Sequence, residues 1–150
     1  MNTRKQQGFT IIEVVLVLAI AGLIFLMVFI ALPALQRGQR DSQRRQDVSR
    51  FMSQVNSFST NNRGDVPAED ATKMQAFLKD YMKQLDGEFK DPQTGEDYTV
   101  AFTGEPTTSK LIYKTSTKCD GEVFESGAGT RSVAIRIALE GSGTYCQDNQ

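Results

Sequence analysis

The sequence predicts an α+β fold: a long N-terminal α-helix, apolar in its first half, packed by its second half on a small antiparallel β-sheet, with one further helix. Three observations carry this. Residues 14–32 read VVLVLAIAGLIFLMVFIAL, 19 apolar residues without interruption, counting Gly22. Beyond them, apolar residues recur twice at helical spacing. In the last third of the chain, short apolar runs alternate with Gly-rich polar loops, the pattern of antiparallel strands.

As a helix, the apolar run extends roughly 28 Å, close to the hydrocarbon core of a bilayer. The averages over 150 residues, 39% hydrophobic with net charge −1, conceal this segregation. Residues 1–50 carry seven basic and three acidic side chains, net +4, whereas residues 51–150 carry ten basic and fifteen acidic, net −5. The chain is therefore a basic, membrane-active segment joined to an acidic polar domain. It has no histidine and two cysteines. That excludes Ser-His-Asp and Cys-His catalysis, His-ligated zinc and a closed cysteine-only zinc site. No acid, base and nucleophile constellation appears, so the expectation is a protein that is not an enzyme and uses no cofactor.

The apolar segment admits three readings. A cleaved secretory signal would have a shorter apolar run and an A-x-A site, but Leu32-Pro33-Ala34 stands at its end. A permanent single-pass anchor is the plain reading. The third begins from Glu13, an ionisable group at the mouth of the apolar run, preceded by Phe9, Ile11 and Ile12. A carboxylate there either snorkels to the headgroups or has a partner and a function.

The stretch Lys5-Gln6-Gln7-Gly8-Phe9-Thr10-Ile11-Ile12-Glu13 and the apolar helix after it resemble the N-terminus of bacterial type IV prepilins. The resemblance covers residues 4–35 closely, and beyond that only architecture matches. It implies a leader, residues 1–8, cut between Gly8 and Phe9 by a prepilin peptidase on the cytoplasmic side. It also implies N-methylation of Phe9. Glu13 would neutralise the Phe9 amine of an adjacent subunit as subunits leave the membrane. The mature chain would be residues 9–150, with formal side-chain charge −3 once Arg4 and Lys5 are gone. Residues 9–35 would be membrane anchor first and filament core afterwards.

Pilins often carry a Gly and a Pro in this helix. Gly22 fits, and Pro33 comes a few residues later than the common position. Proline removes a backbone donor and clashes with the carbonyl four residues back, so it predicts a kink or melting over residues 29–33. The alternative is a proline marking the membrane exit. Arg37, Arg40, Arg44 and Arg45 follow within the range that the positive-inside rule counts, against Arg4 and Lys5 before the helix. A bare count would put the domain in the cytoplasm; the leader motif requires the N-terminus inside and the domain outside.

Residues 36–64 read as an amphipathic continuation of the helix. Arg37, Arg40 and Arg44 share one face, Asp41 and Arg45 form an i,i+4 pair, and Val48, Phe51, Met52, Val55 and Phe58 form an apolar stripe. One helix is thus expected over residues 10–60. The arginine face reads as solvated, or as a contact for lipid headgroups or neighbouring acidic domains. Nucleic acid is a weaker reading, because base-stacking aromatics are missing from this run.

Residues 65–150 are expected to form the globular head. A second helix is expected over residues 69–85, where Met74, Phe77, Leu78, Tyr81, Met82 and Leu85 make an amphipathic stripe and Gly87 stands at the cap. Asp91-Pro92-Gln93-Thr94-Gly95 is a turn, similar to turns in pilins and in the major pseudopilin of type II secretion. Asp91, Glu96 and Asp97 offer oxygens near it but lack EF-hand spacing, so no metal is assigned. Strands are expected over residues 98–103, 110–117 and 132–139, with a short one near 122–125, arranged as an antiparallel meander.

Cys119 and Cys146 are 27 positions apart, and outside the membrane such a pair is readily oxidised. The bond would tie a C-terminal tail to the loop before the last strands. The placement resembles the C-terminal disulfide that bounds an exposed region in many pilins.

The expected function is a structural subunit of a type IV pilus, for adhesion, twitching motility or DNA uptake. Alternatives are a pseudopilin of a type II secretion or competence system, and a membrane-anchored extracellular binding domain. Implied partners are copies of the chain itself, the prepilin peptidase, the assembly platform with its ATPases, and membrane lipid. The expected location is the cytoplasmic membrane before assembly and the cell-surface pilus after it.

Overall fold

A computed structural model describes residues 8–150, so Arg4, Lys5 and the rest of the leader before Gly8 lie outside the described residues. The chain divides into two compact units, Met1–Gln36 and Arg37–Gln150, and helix α1, Ile11–Asn61, contributes to both.

In the first unit α1 is apolar all round. Its large apolar side chains stay exposed, from 44% at Val28 to 83% at Ile11. Such an area is stable only when lipid or protein covers it. By length and composition the helix suffices to cross a membrane. Pro33 lies inside α1, and the backbone is helical through residues 29–33.

In the second unit the same helix buries one stripe. Val48, Phe51, Met52 and Val55 are inaccessible to solvent or nearly so, as i, i+3, i+4, i+7 spacing requires. They meet α2 (Ala71–Asp80), which buries Met74, Phe77 and Leu78. Asp70 caps α2 by accepting a hydrogen bond from the Lys73 backbone N–H at 2.9 Å. Phe51 and Phe77 meet edge to face with ring centroids 5.3 Å apart. This helix ends earlier than its apolar stripe suggests. Lys83 adopts a left-handed backbone (φ 52°), and a 3-10 turn, Gln84–Asp86, follows, closed by Gly87 at φ 79°. Arg50 supports the break by donating to the carbonyls of Met82 and Glu88. Leu85, expected in the core, is 76% exposed as a result.

Six strands complete the second unit: β1 Thr99–Ala101, β2 Lys110–Thr115, β3 Thr117–Asp120, β4 Val123–Ser126, β5 Val133–Ala138 and β6 Thr144–Asp148. The main sheet has the order β1-β2-β5-β6, and β3 and β4 form a separate hairpin. Val133, Ile135 and Ile137 alternate into the core, as their spacing predicts.

Three details depart from a simple meander. First, β1 pairs with β2 in parallel, Val100 opposite Leu111. A return this short is feasible because a three-residue strand covers only about 10 Å. Second, β2 stops before Ser116, whose left-handed backbone (φ 53°) turns the chain out of the sheet into β3. Third, the expected C-terminal tail is strand β6, paired antiparallel to β5 with Cys146 opposite Arg136.

Candidate processing and assembly site

Gly8, Phe9 and Thr10 precede α1 in non-helical backbone, and Phe9 is almost fully exposed. The bond between Gly8 and Phe9 therefore lies in accessible, non-helical chain. The helix begins at Ile11 because Thr10 and Glu13 cap it reciprocally. The Thr10 backbone N–H and its Oγ1 hydroxyl both donate to Glu13 Oε2 at 2.9 Å, and the Glu13 backbone N–H donates to Thr10 Oγ1 at 3.3 Å. This is a capping box, with the acidic end of the pair near the positive end of the helix dipole. The spacing Thr10-Ile11-Ile12-Glu13 carries that signal in the sequence. Capping is thus a use of Glu13 beyond the snorkelling and the subunit pairing expected from its place at the mouth of the apolar run. Glu13 also lines an open hollow with Phe9, Val14, Val17 and Leu18.

The arginine run has a different character from the one expected. Arg44 is wholly buried and donates on three sides. Its Nε and Nη2 reach Asp91 Oδ1 at 2.9 and 2.6 Å, and its Nη1 reaches Glu140 Oε1 at 2.6 Å and Asp41 Oδ1 at 3.1 Å. Arg40 forks onto Glu140 at 2.8 and 2.5 Å. Asp41 also accepts from the backbone N–H groups of Glu140 and Gly141, both at 2.9 Å. The i,i+4 pair expected between Asp41 and Arg45 is replaced by Asp41–Arg44, and Arg45 lies over the Tyr145 ring at 5.8 Å. Of the arginines read as a solvated face, Arg40 and Arg44 are thus spent inside the domain. Helical periodicity finds the shared face but not the carboxylates that come from residues 47 to 100 positions away.

The Arg40 hydrogen bond is the largest influence on the Glu140 carboxyl; burial opposes it, and the Arg44 hydrogen bond and the charges of both arginines help hold the carboxyl down to about 2. Asp47 moves the other way: burial raises it, although it accepts a hydrogen bond from the Tyr98 hydroxyl. Asp91 has both oxygens engaged, Oδ1 by Arg44 and Oδ2 by the Thr94 N–H at 3.1 Å and the Thr94 hydroxyl at 3.2 Å. The Asp91 turn is therefore a docking point for α1, and its carboxylate is not left open for a cation.

Cys119 and Cys146 are bonded, with Cα atoms 5.8 Å apart. The bond joins β3 to β6 rather than a loop to a free tail. Asp148 accepts from the Cys119 N–H at 2.8 Å beside it, and Glu122 accepts from the Thr144 N–H and hydroxyl. The Arg136 guanidinium lies 5.2 Å from the Phe124 ring, so the hairpin covers the outer face of β5.

Comparison with curated proteins and with solved structures returned no match. Comparison with family models matched residues 3–29 to the prokaryotic N-terminal methylation motif. The match takes in the Gly8–Phe9 junction, the Thr10–Glu13 capping box and most of the exposed apolar segment of α1. Over residues 3–29 the chain therefore carries the type IV prepilin signature, ahead of an α+β unit.

Proposed function

We propose that the chain is a structural subunit of a type IV pilus. The observation that carries the reading is the methylation motif running without a break into a helix whose apolar side chains are exposed on every side. The leader, residues 1–8, is removed between Gly8 and Phe9 by a prepilin peptidase, and the new Phe9 amine is methylated. Residues 9–35 hold the subunit in the cytoplasmic membrane, with the N-terminus inside and the domain outside. The same residues then pack against other copies in the filament. Residues 36–64 continue the helix into the head, residues 65–150. Gly22 and Pro33 are the points where α1 would bend or melt on packing. Assembly depends on a membrane platform and cytoplasmic ATPases.

Glu13 supplies the register. An amine and a carboxylate among apolar helices each lack water, and pairing them relieves both. Only a subunit at the correct stagger brings its Phe9 amine to a neighbour's Glu13. The adhesion, motility or DNA uptake that results is a property of the polymer, and no catalytic step is assigned to the chain. A pseudopilin shares the motif and helix and differs in forming no long surface filament.

Two measurements test this. Mass spectrometry of the protein isolated from its own cells is expected to find an N-terminus at Phe9 carrying one added methyl; an intact leader contradicts it. Glu13→Ala is expected to remove surface filaments while leaving cleaved, membrane-held subunits. Filaments at normal abundance in that variant would sink the pairing.

A further inference from the structure

The capping box uses Glu13 unevenly. Both Thr10 donors fall on Oε2, and among the described residues no donor reaches Oε1. The arrangement survives leader removal, because a cut between Gly8 and Phe9 leaves the Thr10 amide intact. We infer that Thr10 is a positioning residue for assembly: it holds Glu13 Oε2 within the subunit and presents Oε1 to the incoming amine. This rests on the pairing proposed above.

The physical need is specific to the filament. At the membrane edge, water and headgroups can reach both oxygens of Glu13. Among packed apolar helices they cannot, and a single amine satisfies only part of a carboxylate. A buried ion pair is favourable only when further hydrogen bonds satisfy the lone pairs that its partner does not. Thr10 provides those bonds from inside the same subunit. It also fixes the side chain in one geometry, so less freedom is lost when the amine arrives. Losing the hydroxyl therefore harms the assembled state more than the membrane-held one.

The experiment compares Thr10→Val, Thr10→Ser and Glu13→Ala as full chains in cells competent for filament assembly. Filament yield is counted per cleaved subunit, which separates assembly from processing. Valine keeps the shape and the backbone donor but removes the hydroxyl. The Thr10→Val yield is expected to fall roughly tenfold, in line with the loss of a hydrogen bond to a charged group, and Thr10→Ser is expected to restore it. Normal yield from Thr10→Val, or a Thr10→Ser yield as low as that of Thr10→Val, overturns the role of the hydroxyl. If Glu13→Ala assembles normally, the pairing itself is wrong. If Glu13→Ala fails while Thr10→Val assembles, only the Thr10 inference falls.

Discussion

At the scale of single residues, Arg44 explains the most. It is a fully buried cation on α1 that reaches Asp91, Asp41 and Glu140 at once, and Asp91 is equally buried. Arg44→Met would strand the Asp91 carboxylate, at a cost of about 3–5 kcal/mol for breaking a buried pair. Denaturant unfolding of the detergent-solubilised chain measures it, and a loss below 1 kcal/mol would contradict the network. Arg44→Lys is expected to recover little, since a point charge cannot fork onto three carboxylates. Glu140 gives the network a pH signature. Its folded value is about 2 against an ordinary 4.5, so the fold favours the ionised form. That stabilisation is complete above about 4.5 and is lost as the pH falls towards 2. Asp47, raised by burial, acts in the opposite sense, being least costly when protonated. Glu140→Gln is therefore expected to flatten the fall in stability over that window. An unchanged pH profile would mean that the Arg40 and Arg44 bonds to Glu140 do not persist in solution.

At the scale of elements, periodic segments were legible in the sequence and pairings were not. The stripes of α1 and α2 and the alternation of β5 are written into residue spacing; α1 and β5 form where expected, whereas α2 stops at Asp80 and leaves Leu85 outside the core. The strands that spacing did not identify, β3 and β6, read TKCD and TYCQD, too short and too polar to declare a buried face. β3 is a strand through its ladder with β4 and β6 through its ladder with β5, and the disulfide, Glu122 and Asp148 tie the two together. Likewise, the parallel β1–β2 pairing depends on how the loop of residues 102–109 returns, which no local pattern encodes. Replacing both cysteines with serine is expected to cost about 3–4 kcal/mol in the chain-entropy model. Amide exchange should then rise first in β3 and β4, with β2 and β5 still protected; a uniform rise would show that the bond organises the whole sheet. Gly143→Ala tests the same clasp without touching sulfur. Gly143 sits at φ 80°, and an added Cβ would lie 2.7 Å from Glu122 Oε1.

At the scale of the whole molecule, the near-zero net charge of −1 arises from a basic first third and an acidic remainder. Part of that opposition is consumed within the chain, where Arg40 and Arg44 meet Asp91 and Glu140. The arginines that conflict with a bare positive-inside count are thus partly neutralised once the head has folded. The N-terminal site was legible as a motif, since Gly8, Phe9 and Glu13 stand at fixed spacing ahead of an apolar helix. The capping bonds engage one oxygen of Glu13 through side-chain geometry that residue spacing does not encode. The large exposed apolar surface of α1 calls for lipid or other copies as its cover, and the central claim is that both serve in turn. Electron microscopy of cells labelled with antibody against the head tests this most directly. The account predicts long surface filaments labelled along their length, absent when the chain is deleted. Label confined to the cell envelope, with no filament, would contradict a pilus subunit.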